Sequence, residues 1–385
     1  MLKNLVILFP HLNNYGGASK YALEIGERLA KRGWKVIFVT TKVNKEIIKQ
    51  YSHIDFKTTG GFVTGSIFYW LSYPIFQYRL HRLLNKIDNK ILFPQIFPPI
   101  WWAIIYKIFH PQTPVVWMCH EPSAFIHSNL VIDSLKQPGK FIAKALNPLL
   151  KFIDKNLVGK IDYLIANSQY GFSEIKRIYQ RQPDLIAYPG VDFKLFKPKD
   201  KKQNYLFTVS RLDKQKNIDI IIKAFILLPE RIKKNYLLEI AGEGVEKDNL
   251  VKLVSKLNLS DKVIFSGWIP EKDLPAKYAK AKLVLFAAKN EPFGIVLVEA
   301  MACGTPVIAF KSGGVKESVV NGQTGILIEK NNPDFLAEKI IELLDKPDFL
   351  AKMGKKARQH VKENFSWNIA AEKIDKFLNE INQNE

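Results

Sequence analysis

The sequence predicts an α/β protein of two Rossmann-like domains, and two observations carry that prediction. Short apolar runs of strand type alternate with helical patterns along the chain, the mark of parallel sheets covered by helices. The alternation is interrupted near residue 200 by a polar, lysine-rich stretch, Lys197-Pro-Lys-Asp-Lys-Lys-Gln203, which reads as a linker. At 385 residues the chain is long enough for two domains with real cores, placed at 1–200 and 201–365. Its 47% apolar and 24% charged residues are the balance of a folded protein. Open α/β sheets bind ligands at the carboxyl ends of their strands, so the expected site is a cleft between the two domains.

In the first domain Leu5 to Phe9 reads as a buried strand, Ala18 to Lys31 as a helix and Lys35 to Thr40 as the next strand. Strands follow at Val115 to Cys119 and Tyr163 to Ala166. The amino terminus resembles a signal peptide only superficially, because its apolar run is short and Gly16-Gly17 with a helix pattern stands where cleavage would occur. The second series comprises Tyr205 to Val209, Leu237 to Ala241, Val263 to Ser266, Leu283 to Phe286 and Val307 to Ala309. Between the last two, Lys289 to Gly294 is a polar loop and Ile295 to Cys303 a helix, stopped by Gly304 and Pro306. Cys119 and Cys303 are the only cysteines, which excludes a disulfide framework and fits a cytoplasmic protein.

The most informative chemistry lies in that loop and helix. Glu291 and Glu299 are eight positions apart with Gly294 between them. Glu291 falls at a strand's carboxyl end, and Glu299 about one turn into the helix, leaning back toward its amino terminus. Backbone N–H groups at Gly294 and Ile295 would attract a phosphate. Arg211 directly follows another strand and Lys216 comes five residues later, a fork and a point charge suited to a diphosphate. Two carboxylates for hydroxyls beside sites for phosphate match what a nucleotide-sugar presents.

The run Glu291-Pro-Phe-Gly-Ile-Val-Leu-Val-Glu299, continued by Gly304-Thr-Pro-Val-Ile-Ala309, Ser312-Gly-Gly-Val-Lys-Glu317 and Asn321-Gly-Gln-Thr-Gly325, resembles the E-x7-E signature of the retaining glycosyltransferases of family 4. That resemblance implies the GT-B architecture of two Rossmann-like domains, with the last helix, near Ser366 to Asn379, crossing back onto the first. It implies that Arg211 and Lys216 bind the donor diphosphate, with Gly16, Gly17, Gly294 and Ile295 approaching it. Glu291 would hold the donor sugar, and Glu299 the ribose. Gly242 and Gly244, with Gly267 and Trp268, would lie beside the base. His120, in Met118-Cys119-His120-Glu121-Pro122, matches a position that contacts the transferred sugar, so His120 and Glu291 are the expected catalytic residues. Asn167-Ser168 also resembles a family feature, whereas Glu121 stands where Asp is common and receives no role. The implied reaction is retaining hexosyl transfer from a UDP- or GDP-linked sugar to a glycan or lipid-linked acceptor, in cell-surface polysaccharide or glycolipid synthesis. No cofactor or metal is expected.

Two other classes share parts of this pattern. A nucleotide-sugar epimerase on a similar fold would turn over donor without acceptor, and a non-catalytic nucleotide-sugar-binding protein would keep the pocket alone. There is no H-e-x-x-h zinc spacing and no D-x-D pair, and Cys119 and His120, as adjacent strand residues, point to opposite faces.

The formal net charge of +20 implies an acidic partner. Residues 1–190 hold 24 Lys+Arg against 11 Asp+Glu, and the remainder 33 against 26, so the excess is concentrated in the first half. Without an RNA-binding signature or zinc-finger spacing, nucleic acid is not the expected partner. Peripheral contact with the inner face of an anionic membrane is one expectation. Residues 62–76 and 91–109 are rich in aromatics, the first too short to span a bilayer and the second broken by Pro94, Pro98 and Pro99. Lys140, Lys144, Lys151 and Lys155 share one helical face opposite Phe141, Leu149, Phe152 and Ile153, although Pro148 interrupts the stripe. Such a helix either lies on a membrane surface or packs its apolar face on its own domain with the lysines solvated.

Overall fold

A computed structural model describes residues 4–13, 16–61, 67–128, 132, 139–199 and 201–383. The chain forms two compact units, Met1–Tyr188 with Ala370–Glu385, and Pro189–Ile369. In the first, β1 (Asn4–Leu8), β2 (Lys35–Thr40), β3 (Asp55–Thr58) and β4 (Lys90–Pro94) form a parallel sheet in the order β3-β2-β1-β4. A second parallel set, β5 (Val116–Cys119), β6 (Tyr163–Ala166) and β7 (Leu185–Ile186), continues it in chain order. One parallel bridge, Leu92 to Val115, joins the two sets. The order reverses between β1 and β4, so the loops leaving those strands open at a topological switch point.

The stretch 91–109 corrects an expectation. It is not surface material for a membrane but the centre of this unit's core. It supplies β4 and the helix Pro99–Phe109, with Ile100, Trp101, Trp102, Ile104 and Tyr106 buried. Its prolines are tolerated where they fall: Pro94 ends a strand and Pro99 begins a helix, where no N–H is required. Of the stretch 62–76, residues 62–66 lie outside the described residues. Phe68, Leu71 and Ile75 are exposed, while Tyr69 and Phe76 are buried.

The helix Gly139–Val158 is also placed unlike an ordinary surface helix. Its buried residues are Asn147, Asp154 and Val158, whereas Phe141, Leu149 and Phe152 face solvent. Of the expected apolar face Ile153 packs on the core together with Leu150, Leu157 and Val158, so the helix rests apolar residues on its own domain and leaves a second apolar face outward. The terminal helix Trp367–Gln383 joins the first unit. Trp34 Nε1 donates to Asp375 Oδ1 at 2.8 Å, and the Phe377 ring meets Tyr163 at 5.7 Å between centroids. Among the described residues no helix is long and apolar enough to cross a membrane.

The second unit holds β8 (Tyr205–Val209), β9 (Leu237–Ala241), β10 (Val263–Gly267), β11 (Leu283–Phe286), β12 (Val307–Phe310) and β13 (Gly325–Ile328). They form one parallel sheet, β10-β9-β8-β11-β12-β13. Leu206, Ile222, Phe225, Leu285, Ile308 and Ile340 are among the buried side chains of its core, each contributing about 1.5–3 kcal/mol by leaving water. Residues 189–199 pack with this unit and do not hang between the two. Val191 N donates to Phe365 O at 3.0 Å, Phe196 is buried, and Arg358 donates to Phe196 O at 3.1 Å. Here the strand order reverses between β8 and β11, and the loops that leave those two strands carry Lys216 and Glu291.

Candidate active site

The loop after β8 runs Ser210 to Asn217, and the loop after β11 runs Ala287 to Gly294. Sitting on adjacent strands, they are stitched together by hydrogen bonds. The Asn217 side-chain amide donates to Ala287 O at 2.8 Å, and Lys289 N donates to Gln215 O at 3.0 Å. Asn217 adopts φ 49°, a left-handed conformation that asparagine tolerates and that ends the short turn Lys214–Lys216. Lys216 is thereby aimed across the seam, where its ammonium donates to Glu291 Oε2 at 2.6 Å with both side chains about four-fifths shielded (17% and 20% exposed). The arrangement places a cation and a carboxylate at the sheet's switch point.

The Glu291 loop is clamped from its other side. Gly314 N donates to Glu291 O at 2.8 Å. A side chain on Gly313 or Gly314 would meet Glu291 O at 2.3 Å or Pro292 O at 2.1 Å. The Ser312-Gly-Gly run is therefore small because two backbones touch there. Ser312 Oγ also accepts from Asn290 N at 2.8 Å. Gly294, at φ 83°, caps the helix Ile295–Ala302, and its Cα faces Glu291, whose Cγ would lie 3.7 Å from an added Cβ. The carboxylate-bearing side chain thus lies over a helix amino end, whose first N–H groups at Gly294 and Ile295 have no partner within the helix.

The glycines expected beside a base have similar reasons. An added Cβ on Gly242 would lie 1.8 Å from Ser210 O, and on Gly244 2.3 Å from Leu212 O, so β9 delivers bare backbone against the β8 loop. Gly242 N donates to Gly267 O at 2.7 Å, and Trp268 is 59% exposed. Arg211 sits at the same strand end, its side chain 79% exposed and 3.5 Å from Asp213 Oδ2. Glu299 differs from the others. It is buried, and its Oε2 accepts from the Tyr278 hydroxyl at 2.9 Å. Burial, together with the Glu299 carboxylate, holds the Tyr278 hydroxyl far above its ordinary range, so it remains a donor. Nothing in the sequence marked Tyr278, which lies 21 residues from its partner on another helix.

In the first unit the strand ends gather a second group. His120 follows β5, is 8% exposed, and shares a hydrogen bond of 3.2 Å between Nε2 and Gln95 Oε1. With that amide oxygen accepting, Nε2 carries the proton. The Tyr21 ring meets the imidazole edge-on at 4.9 Å, and Asn167 Nδ2 donates to His120 O at 2.9 Å. Ser168 caps the next helix by accepting from Gly171 N at 2.8 Å, a structural use of the Asn167-Ser168 pair. Gly16 N donates to Ser19 Oγ at 2.8 Å, and Gly16 and Gly17 are exposed at the start of the helix Gly17–Ala30. Gln95, at the end of β4, was not singled out by sequence; its signal was only its place after an apolar run. Both cysteines are buried, and burial pushes the Cys303 thiol up to about 12 and Cys119 well above its usual range, so neither is a thiolate nucleophile.

Burial lowers His120 to about 3, so the imidazole is neutral in the folded protein across the working range. A depressed histidine contributes stability that is present above its unfolded value of about 6.5 and is lost as pH falls toward about 3. Acid denaturation monitored on the wild type and His120→Gln should therefore show the variant losing part of that acid dependence. An identical pH profile would place the His120 ring in solvent.

Residues 15–195 match the family model described as Glycosyltransferase Family 4, and residues 192–360 match Glycosyl transferases group 1. The two models run nearly end to end across both units. The chain is a member of glycosyltransferase family 4. It is 26% identical to D-inositol 3-phosphate glycosyltransferase 2 of Catenulispora acidiphila over 94% of this chain and 89% of that protein. It is 33% identical to D-inositol 3-phosphate glycosyltransferase of Streptomyces bingchenggensis over 71% of this chain and 65% of that one. Among solved structures, Anabaena HepE in complex with UDP and glucose superposes with a TM-score of 0.78 at 22% identity, covering 98% of this chain and 99% of that one. The glycosyltransferase therefore has the GT-B fold.

Proposed function

We propose that this glycosyltransferase moves a hexose from a UDP- or GDP-linked donor to a glycan or lipid-linked acceptor, with retention at the anomeric carbon. The biological setting we assign is assembly of a cell-surface polysaccharide or glycolipid at the cytoplasmic side of the membrane. The observation that carries the donor reading is the Lys216–Glu291 pair at the switch point, over the amino end of the helix Ile295–Ala302. In transfer, the bond between the anomeric carbon and the diphosphate oxygen breaks and the bond to the acceptor oxygen forms. The acceptor's proton passes to the departing phosphate oxygen. Negative charge grows on that oxygen, and Arg211, Lys216 and the Gly294 and Ile295 amides are the donors assigned to it. Gly16 and Gly17 are assigned to diphosphate binding. No metal is assigned, because these groups supply the countercharge.

Glu291 is assigned to the sugar hydroxyls and Glu299, braced by Tyr278, to the ribose. Gly242, Gly244, Gly267 and Trp268 line the base by main-chain contact and stacking. His120, neutral and with its Nε2 proton held by Gln95, is assigned to the transferred sugar through Nδ1, which would accept from a sugar hydroxyl. The test is the stereochemistry of the product. UDP-glucose, seen in complex with Anabaena HepE, is the first donor to try, with free glycans, lipid-linked glycans and D-inositol 3-phosphate as acceptors and a chelator present. Proton NMR of the initial product should show the donor's anomeric configuration. An inverted product would overturn retention, and turnover of donor without any acceptor would favour the epimerase reading.

A further inference from the structure

We infer that the helix Gly139–Val158 and the outer face of the helix Tyr73–Leu84 seat the first unit on an anionic lipid bilayer. The inference stands on surface chemistry alone and does not depend on the donor assignments.

The helix Gly139–Val158 carries apolar side chains on two sides. Its inward side combines Leu150, Ile153, Leu157 and Val158, packed on the core, with two firmly bonded polar residues. Asn147 Nδ2 donates to Ile126 O at 2.7 Å. Asp154 accepts from Trp101 Nε1 at 2.7 Å and the Tyr179 hydroxyl at 2.8 Å, and pairs with His127 Nε2 at 2.8 Å. Those bonds fix the helix's rotation, and the opposite side is apolar. Phe141, Ile142, Leu146, Leu149 and Phe152 are 71%, 52%, 48%, 56% and 67% exposed. At about 100° per residue these five lie within roughly a 140° arc, and Lys140, Lys144, Lys151 and Lys155 within roughly 60° along one border of it. A helix that served only to cover its own domain would present a polar outer face. A contiguous apolar face held outward by buried polar bonds marks a surface that meets something apolar.

A second exposed set lies in the same layer of helices. Leu71, Ile75 and Tyr78 are 72%, 59% and 62% exposed, next to exposed Arg79 and Arg82. The helix Pro99–Phe109 ties the two sets together, because Trp102 packs on Phe76 at 4.5 Å between ring centroids while Trp101 holds Asp154. The charge decides the occupant. Lysine is depleted from protein–protein interfaces, whereas phenylalanine and leucine rimmed by lysine suit an interfacial helix whose stems reach up to lipid phosphates. The excess of cations in residues 1–190 agrees with an anionic surface.

The test is co-sedimentation of the full chain with vesicles of phosphatidylcholine alone and of phosphatidylcholine with phosphatidylglycerol. Wild type should bind the anionic vesicles and release as salt rises. The variant carrying Phe141→Ser, Leu149→Ser and Phe152→Ser should bind at least about tenfold more weakly, having lost three buried apolar anchors. Lys151→Glu with Lys155→Glu should abolish the preference for phosphatidylglycerol. Circular dichroism and the thermal unfolding midpoint of each variant show that the fold is kept. Failure of wild type to sediment with anionic vesicles would overturn the inference. So would a dimer in analytical ultracentrifugation that the triple variant converts to monomer, because the face would then belong to a second copy.

Discussion

Lys216→Ala is expected to lower the turnover of sugar transfer by about a hundredfold to a thousandfold, the scale of losing one donor to a leaving-group oxyanion. The ion pair makes the effect more than the loss of a positive charge. Lys216 Nζ lies 2.6 Å from Glu291 Oε2 with both groups mostly shielded, so its removal also frees the carboxylate from the partner that aims it. Glu291→Ala should be comparably severe, because a sugar displaced by about an ångström already costs about a hundredfold. The two changes should be strongly non-additive, since each destroys the same arrangement. Steady-state kcat and KM for the two single variants and the double variant measure this directly. Independent, additive losses would show that the pair is incidental.

Asp154→Ala is expected to destabilise the first unit by about 3 kcal/mol or more. Asp154 is fully buried and serves Trp101, His127 and Tyr179 at once. Removing it leaves the indole N–H and the phenol without an acceptor, at about 1–3 kcal/mol for each unsatisfied group. Urea unfolding followed by tryptophan fluorescence should show the loss, with nucleotide affinity on the second unit unchanged. A variant as stable as wild type would mean that water satisfies these donors.

The strands that border both sites were legible because buried parallel strands are short continuous apolar runs. Tyr163–Ala166, Tyr205–Val209, Leu237–Ala241 and Leu283–Phe286 fall where those runs predict. Others were hidden for physical reasons. β4 ends in a proline and leads into an aromatic helix, so it read as one irregular segment, and β7 has only two residues. β3 shows no apolar run, because three of its four residues are exposed. The periodicity of Gly139–Val158 was visible but its rotation was not. Period alone gives one apolar side and one polar side, whereas here Asn147 and Asp154 form hydrogen bonds inward beside packed Leu150 and Leu157 while Phe141 and Phe152 face out. Likewise Arg211, Lys216 and Glu291 stood out singly, yet the Lys216–Glu291 pair joins positions 75 apart and needs the strand order to appear. Tyr278 carries no sequence mark of any kind, since its meaning comes only from the buried Glu299 carboxylate it faces.

The central claim, a nucleotide-diphosphate donor site on the second unit, is tested most directly by calorimetric titration with UDP, GDP and ADP in the absence of added metal. The account predicts micromolar binding of UDP or GDP, unaffected by chelator and lost or strongly weakened in Arg211→Ala. No binding of any of the three, or affinity unchanged by Arg211→Ala, would contradict it.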